Sequence, residues 1–243
     1  MADLTPQDHA KFAAGRYAAD HYCADGMKLG LGSGTTSHLF VRALAERVAD
    51  GLDVVGVPTS RATYDLAREL GVPLVDLNDV GVLDVCIDGP DEIDRDGSMI
   101  KGGGACLLRE KIVARCSRRM VVIADESKLV EQLGRFPLPI EIVKFGSGAT
   151  TRLILDLLRT HGFDAPAASP RMRGDERLVT DNGNYIVDIQ LDRVTDPGTL
   201  TVELNQIPGV VENGLFVGIG HEVVIGRPDG TAAAHDLPLA PTT

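Results

Sequence analysis

Short apolar runs alternate with amphipathic segments through the first half of the chain. Five of these runs have the length and the Val, Ile and Leu content of buried strands: MKLGLG, LDVVGVP, VPLVDL, LDVCI and MVVIA. In the segment TTSHLFVRALAERVADG the apolar residues instead recur at helical spacing, at Leu39, Val41, Leu44 and Val48. Continuously apolar strands that alternate with helices are typical of a parallel sheet covered by helices on both faces.

The pattern changes near Gly134. The following segments predict a strand within residues 135–145, a helix within 148–162, two strands joined by the hairpin-type turn DNGN, a helix within 196–209 and a strand at 210–217. The order strand–helix–strand–strand–helix–strand is that of a ferredoxin-like unit. The last strand-like run, EVVIGRPDG, is expected to return to the first sheet.

These patterns together predict an α/β fold with two domains. The first is a parallel-sheet domain formed by residues 1–133 plus 214–243, and the second is a ferredoxin-like α+β domain, residues 134–213, inserted into it. Residues 238–243 are expected to form a mobile tail.

Charge and composition narrow the function. The net charge of −11 argues against a nucleic-acid partner, because phosphate contacts along a strand need a basic face. A small phosphorylated ligand stays possible, since a few local groups can hold it. No apolar run approaches the ~18 residues of a membrane span, and the first residues lack a secretory core, so we expect a cytoplasmic protein. The cysteines lack zinc-motif or redox-motif spacing and are expected to be reduced thiols: Cys23, Cys86, Cys106 and Cys116.

The glycine loop GLGSGTT, residues 30–36, lies between the first predicted strand and the next helix. Its glycines let the backbone approach a ligand closely, and the N–H groups at a helix N-terminus attract an anion. The loop matches neither G-x-G-x-x-G nor the P-loop motif. Two interpretations stay open: a phosphate site with the hydroxyls of Ser33, Thr35 and Thr36, or a tight turn with a threonine N-cap.

The stretch IDGPDEIDRDGSMIKGGGACLLREK, residues 87–111, concentrates acidic residues beside glycines and a lysine. If Gly97 takes position six of an EF-hand loop, position twelve is Gly103 and not the required glutamate, so a calcium loop is not indicated. The histidines are scattered, which disfavours a transition-metal site. DRDG, residues 94–97, has turn composition. The sequence therefore predicts no metal site.

The remaining charged residues of this stretch fit a proton-transfer site. Asp88 ends an apolar strand, at the edge where open parallel sheets bind ligands, and Asp91 follows a Gly-Pro bend. Lys101 precedes three glycines whose N–H groups form a plausible cradle for an oxyanion. A solvated loop is the alternative for the two aspartates, and an ordinary exposed helix residue is the alternative for Glu110.

The motifs GLGSGTT, DGPDEID, KGGGACLLREK and ADESK occur in this order along the chain. Together they resemble the motifs of ribose-5-phosphate isomerase, type A, and the likeness extends to FPLPIEI, VTDNGN and IPGVVENGLF. It implies an aldose–ketose isomerase of the pentose phosphate pathway that acts on a sugar phosphate without a metal or organic cofactor. It also implies a Rossmann-like domain with an inserted ferredoxin-like domain, assembled as homodimers or homotetramers.

The resemblance implies a role for each motif. Glu110 corresponds to the family's general base, and Asp88, Asp91 and Lys101 correspond to its other catalytic residues. In this scheme Glu110 moves a proton between C2 and C1 through an enediolate, Lys101 stabilises the oxygen charge, and Asp88 assists ring opening. The resemblance further implies these substrate-binding residues: Lys11, Ser33, Gly34, Thr35, Thr36, Gly102, Gly103, Gly104 and Lys128.

Two residues depart from the family pattern. Pro90 stands where an alanine is expected, and it restricts the backbone between Asp88 and Asp91. Cys106 stands where an alanine is expected after KGGG, close to the implied site. Neither change removes a functional group, so both bear on geometry.

Two other classes of protein have a similar topology. One is a non-catalytic sugar-phosphate sensor, but this chain has neither a DNA-binding segment nor a basic face. The other is an acyl-CoA transferase, in which a glutamate acts as nucleophile. Glu110 together with Lys101 favours catalysis over sensing, and the phosphate-type loop favours the isomerase over the transferase.

Overall fold

The computed structural model describes residues 5–238, and helices begin where the sequence supplies caps. Thr5, Ser60 and Asp196 each accept a hydrogen bond from the backbone N–H three residues later, which satisfies one of the free donors of a helix start. The α-helices are α1 (Pro6–Tyr22), α2 (Thr35–Ala49), α3 (Arg61–Glu69), α4 (Leu77–Val80), α5 (Leu107–Arg115), α6 (Ser147–Thr160) and α7 (Pro197–Leu204).

The strands are short, and they form two main sheets and two small ones. In chain order they are β1 (Met27–Leu31), β2 (Val54–Pro58), β3 (Val85–Asp88), β4 (Glu92–Ile93), β5 (Met99–Ile100), β6 (Met120–Asp125), β7 (Leu138–Ile142), β8 (Ala167–Pro170), β9 (Met172–Arg173), β10 (Glu176–Arg177), β11 (Tyr185–Gln190), β12 (Val210–Asn213), β13 (Leu215–Phe216), β14 (Glu222–Gly226) and β15 (Ala232–Asp236).

The central sheet has the strand order β15-β14-β6-β3-β1-β2. All neighbouring strands are parallel except β14 and β15, which are antiparallel. Residues of α1, α2 and α3 form the core on one face, and residues of α5 lie in the core on the other. The predicted α/β class with helices on both faces is confirmed, and β14 returns to the first sheet beside β6 as expected.

One predicted strand is wrong. The run VPLVDL does not join the central sheet as a strand and makes a single bridge between Leu74 and Gly56, at the edge beside β2. Pro73 has no N–H to extend that pairing, and Asp76 then caps α4 by accepting from Asn78 N. The edge strand β15 was not predicted, because AAAHD lacks the β-branched residues typical of strands.

The second sheet has the order β12-β7-β11-β8 and is antiparallel throughout. Apolar residues of α6 and α7, such as Ile154 and Leu200, share one core with Leu138 and Ile140 of β7. The ferredoxin-like arrangement is therefore confirmed. The strand expected directly before DNGN is wrong, however: that position in the sheet is taken by β8.

A small sheet of β13, β5 and β4 lies where the two larger sheets meet. Lys101 directly follows β5, and its N–H donates to Gly214 O (2.9 Å). The two backbone segments approach so closely there that a Cβ on Gly214 would lie 2.4 Å from Lys101 O. The backbone of Lys101 is thus fixed by the residue that lies between β12 and β13.

The domain boundaries at 133/134 and 213/214 stay a proposal. Residues 1–4 and 239–243, including all but the first residue of the expected mobile tail, lie outside the described residues. Within residues 5–238 no helix is long and apolar enough to cross a membrane. All four cysteines fall in the described part of the chain and are free thiols.

Candidate active site

The site lies between β1 and β3, where the order of the strands in the central sheet reverses: β2 is added on one side of β1 and β3 on the other. Strands β1 and β3 are neighbours, so the segments that follow them leave the sheet side by side, at the edge where open α/β sheets bind ligands. Asp88 ends β3 and is 0% exposed. Its Oδ1 accepts hydrogen bonds from Ser33 N (3.0 Å), Ser37 Oγ (2.9 Å) and Gly89 N (2.8 Å). A Cβ on Gly32 would lie 2.1 Å from this oxygen, so the contact requires glycine there.

Lys101 is buried between two carboxylates. Its Nζ lies 3.0 Å from Asp88 Oδ2 and 3.3 Å from Glu110 Oε1, and it donates to Gly89 O (2.6 Å). The ring of Phe216 lies 5.5 Å from the ammonium. Burial alone lowers the pKa of Lys101, but the charges of Asp88 and Glu110 outweigh it, and the pKa stays above its usual value. Lys101 is therefore a fixed cation.

Glu110 lies in the first turn of α5 with its carboxyl group turned inward. The residue is 4% exposed, and its Oε2 has no hydrogen-bond partner among residues 5–238. Burial raises the pKa of Glu110 to about 8, against the opposing effect of Lys101, and the charges of Asp88 and Asp91 raise it further. A carboxyl group with such a pKa can both take up and return a proton near neutral pH.

Asp91 is tied to the glycine run. Its Oδ2 accepts from Gly103 N (2.7 Å), and a Cβ on Gly103 would lie 2.6 Å from its other oxygen. Gly102 has φ +107°, in the region that favours glycine. The run KGGG therefore folds around Asp91 in a path that other residues would obstruct.

These groups surround a cleft of about 80 Å³. All predicted site residues except Asp88 and Lys11 line it, since the walls are formed by Ser33, Gly34, Thr35, Thr36, Gly89, Pro90, Asp91, Lys101, Gly102, Gly103, Gly104, Glu110 and Lys128. The volume holds only a few water molecules, so a larger ligand extends toward solvent past the exposed glycines. A cavity of about 840 Å³ lies between α3 and α5, but the buried lysine and carboxylates do not line it.

One end of the cleft is suited to an anion. Gly34, with φ +95°, stands at the N-cap of α2, and no side chain in the described part of the chain caps this helix. Thr35 and Thr36 at its start line the cleft, so its first N–H groups are available to an anion there. Lys128 lines the same cleft. Lys11 lies on α1 one turn after Gln7, whose amide donates to Asp125 (3.4 Å) beside the turn that carries Lys128.

The hydroxyl of Ser33 is occupied by other hydroxyls. Its Oγ is hydrogen-bonded to Thr59 Oγ1 (2.7 Å), Ser60 Oγ (2.8 Å) and Thr63 Oγ1 (3.1 Å). This buried cluster ties the loop after β1 to the start of α3. Of the three predicted hydroxyl donors, Thr35 is the exposed one.

Sequence reasoning missed the residues that the second sheet contributes. Arg171 donates to Gly102 O (2.5 Å) and Gly103 O (3.0 Å). The turn DNGN holds the start of α5, because Arg109 Nε donates to Asn182 Oδ1 (2.8 Å). The sequence contains the turn, which was interpreted as a hairpin and included in the family resemblance, and the REK motif that contains Arg109, but nothing in it paired the two or indicated Arg171.

The two departures from the family pattern leave the cluster intact. Pro90 is buried in the wall of the cleft, and the carbonyl before it, Gly89 O, is the one that accepts from Lys101. Cys106 donates to Gly104 O (3.2 Å). Burial, with a smaller effect from Glu110, raises the pKa of Cys106 to about 12, so the thiol stays protonated.

No group of three or more His, Cys, Asp or Glu side chains within residues 5–238 is arranged to hold a metal ion. In the cleft, the position between the carboxylates is occupied by the ammonium of Lys101. The arrangement therefore offers a fixed cation and a titratable carboxyl group for proton transfer.

The fold and the buried cluster define an α/β enzyme equipped for proton transfer. The chain belongs to the ribose 5-phosphate isomerase A family, a family of aldose–ketose isomerases: the family model, described as ribose 5-phosphate isomerase A (phosphoriboisomerase A), matches residues 55–230.

Relatives and solved structures agree with this assignment. A ribose-5-phosphate isomerase A from Cereibacter sphaeroides is 52% identical over 237 residues, which is 97% of this chain and 90% of the relative. The ribose 5-phosphate isomerase from Plasmodium falciparum superposes with a TM-score of 0.89 at 35% identity, covering 94% of this chain and 98% of that one. A D-ribose-5-phosphate isomerase solved in complex with phospho-erythronic acid has a TM-score of 0.85 at 37% identity, covering 93% and 97%.

Proposed function

We propose that this chain interconverts D-ribose 5-phosphate and D-ribulose 5-phosphate through an enediolate, with Glu110 as general base. The observation that carries the proposal is the buried ammonium of Lys101, 3.0 Å from Asp88 and 3.3 Å from Glu110 beside a cleft. Family membership supports the substrate. The ligand phospho-erythronic acid supports the intermediate, because its planar carboxylate resembles the two oxygens of an enediolate.

Proton transfer at carbon is assigned to Glu110. In the open-chain aldose the carboxylate removes the proton from C2, and the electron pair forms the C1–C2 double bond of the enediolate. The same carboxyl group then returns the proton to C1, while a proton moves between the two oxygens. The unpartnered Oε2 of Glu110 is the oxygen free to approach the substrate.

The negative charge on oxygen is assigned to Lys101 and the glycine run. The ammonium of Lys101 is fixed by its contacts and needs no reorganisation as charge develops. The N–H groups after Lys101 add neutral donors at the same wall of the cleft. Ring opening stays a predicted role of Asp88, which reaches the cleft through Lys101, so the pair acts as one unit.

The phosphate group is assigned to the uncapped start of α2. Its free N–H groups, with Thr35 and Thr36, face the cleft beside Lys128, and an anion is favoured at a helix N-terminus. Anchoring the phosphate end positions C1 and C2, so this binding contributes to the transition state. Lys11 stays a predicted contact, and assembly as a homodimer or homotetramer stays a prediction.

The function is tested by a direct assay. Purified protein is expected to convert ribose 5-phosphate to ribulose 5-phosphate at an unchanged rate in excess EDTA, because Lys101 and Glu110 supply the charges that the reaction needs. Unphosphorylated ribose, which lacks the anchoring group, is the control and is expected to react at least ~100-fold less efficiently. Loss of activity on chelation would contradict the metal-free mechanism. Binding without turnover would favour the sugar-phosphate sensor instead.

The pH dependence follows from the burial of Glu110. The base must be ionised to accept a proton, and burial raises its pKa to about 8. We therefore expect kcat/KM to increase about tenfold per pH unit below that value and to level off above it. Initial rates between pH 5.5 and 9.5, about the range needed to cover both sides, measure this. A kcat/KM that stays constant down to the lowest pH measured, as expected for a glutamate with the ordinary pKa of 4.5, would contradict the assignment.

A further inference from the structure

Arg171 links the second sheet to the glycine run. It lies between β8 and β9, and its side chain is 14% exposed. On one edge of the guanidinium, Nη1 donates to Gly102 O (2.5 Å) and Gly103 O (3.0 Å). On the other edge, Asp188 of β11 accepts from Nε (2.8 Å) and from Nη2. The second sheet thereby holds two carbonyls of the cleft wall.

These carbonyls determine where the following N–H groups point. The C=O and N–H of one trans peptide plane point in opposite directions. With Gly102 O and Gly103 O turned toward Arg171, the N–H groups of Gly103 and Gly104 are turned away from it. Gly103 N–H donates to Asp91 Oδ2 (2.7 Å), whereas Gly104 N–H has no acceptor among residues 5–238. One free donor therefore lies on the side of the loop that carries Asp91.

Three consecutive glycines do not fix such an arrangement by themselves. Glycine populates positive and negative φ with similar ease, so a Gly-Gly-Gly segment has many backbone conformations of similar energy. Gly102 adopts φ +107°, which other residues rarely take. Contacts from outside the segment are needed to select one conformation: Asp91 makes one, to an N–H group, and Arg171 makes two, to the carbonyls.

We propose that Arg171 is a positioning residue, which orients the peptide planes of the glycine run so that the free N–H of Gly104 stabilises the enediolate oxygen. The inference rests on the isomerisation proposed above and assigns part of its oxyanion stabilisation to the second sheet. The guanidinium also polarises the two peptides, which strengthens their N–H groups as donors. Arg171 does not touch the substrate in this scheme.

The contacts require an arginine. Two carbonyl oxygens on one edge and a carboxylate on the other match the planar fork of a guanidinium, whereas a lysine is a single point charge. Arg171→Lys therefore keeps the charge and loses the geometry. The Arg171→Lys variant therefore distinguishes two roles. If Arg171 only attracts the phosphate by its charge, lysine replaces it, whereas a positioning role requires the arginine.

The first test compares the kinetics of variants. Arg171→Gln and Arg171→Lys are both expected to lower kcat for ribose 5-phosphate by about 10- to 100-fold, with KM changed less than about threefold. Arg173→Gln is the matched control. Arg173 is exposed on the same hairpin, so this variant removes an equal charge without touching the glycine run. It is expected to behave as wild type.

The second test uses inhibitors. Phospho-erythronic acid places a carboxylate where the enediolate oxygens develop, so its inhibition constant is expected to increase in parallel with the loss of kcat in Arg171→Gln. Inorganic phosphate, which engages the other end of the cleft, is expected to inhibit all variants equally. A general loosening of the fold would weaken both inhibitors together.

Asp188→Asn keeps the test valid if the Arg171 variants fold poorly, as judged by circular dichroism. This variant keeps Arg171 but weakens the ion pair that holds its guanidinium. We expect kcat to decrease about three- to tenfold, again with KM little changed. The inference is overturned if Arg171→Gln keeps kcat within about twofold, if KM changes and kcat does not, or if Arg173→Gln loses as much. A wild-type protein without isomerase activity would overturn the proposed function instead, so the two failures are distinguishable.

Discussion

Glu110→Gln is expected to lower kcat by ~10³-fold and to leave KM within about threefold of wild type. Glutamine has nearly the same shape and can keep the contact with Lys101, but it cannot accept the carbon-bound proton. Steady-state kinetics on ribose 5-phosphate measure both constants. A second measurement follows the carbon proton directly: in D₂O the wild type is expected to place deuterium on C1 of the product, and the variant is not.

The matched control is Glu69→Gln, at the exposed end of α3, where the same chemical change is made far from the cleft. It is expected to retain full activity. Residual activity of Glu110→Gln should also lack the rise of kcat/KM toward pH 8, since the titrating group is gone. If Glu110→Gln keeps kcat within a few-fold of wild type, another group is the base.

Lys101→Met is expected to abolish turnover and to lower the free energy of unfolding by about 3–5 kcal/mol at pH 8. Methionine fills a similar volume, but it leaves the carboxylates of Asp88 and Glu110 buried without their cation. The loss of stability is expected to shrink at pH 5. Burial raises the pKa of Glu110 in the folded state, so at pH 5 this carboxyl group is protonated and no longer repels the carboxylate of Asp88. The unfolded state has no such cluster and is unaffected. Urea denaturation at both pH values measures this.

A double variant sharpens the interpretation of that result. Lys101→Met with Glu110→Gln removes one of the two unpaired charges, so it is expected to be more stable than Lys101→Met alone at pH 8. Lys144→Met, which changes an exposed lysine, is the control and is expected to cost less than about 1 kcal/mol. Equal stability of the single and double variants would show that the cluster is not energetically coupled.

The position of Asp88 and of the glycine loop could be predicted from the sequence, because both follow apolar runs and the ends of parallel strands meet at one edge. Glu110 was different. A lone glutamate on a helix is usually exposed, and only the resemblance to a family singled it out. Its burial depends on how α5 faces the cleft, which no local pattern specifies. The failed strand at VPLVDL shows the same limit, since Pro73 stops a ladder that hydrophobicity alone would extend.

The contribution of the second sheet could not be predicted from the sequence either, for a related reason. Arg171 meets Gly102, and Arg109 meets Asn182, across long stretches of chain and across two sheets. Arg171 lies in no recognisable pattern, and Arg109, although it belongs to the motif KGGGACLLREK, has no partner that the sequence indicates until the sheets are packed together. Family membership confirms the fold and the class of enzyme, whereas the roles of the individual site residues stay predictions until the variants are measured.

The return of β14 to the central sheet has a consequence for synthesis of the chain. β6 is buried along its whole length and pairs with β14, yet residues 126–221 emerge from the ribosome between them. Until β14 is made, β6 has a free apolar edge of the kind that templates aggregation. The first helix also lacks its packing partner until then, because α1 packs on β14 so closely that a Cβ on Gly226 would lie 1.9 Å from Ala10 O. The central sheet can therefore be completed only after the whole inserted segment has been synthesised.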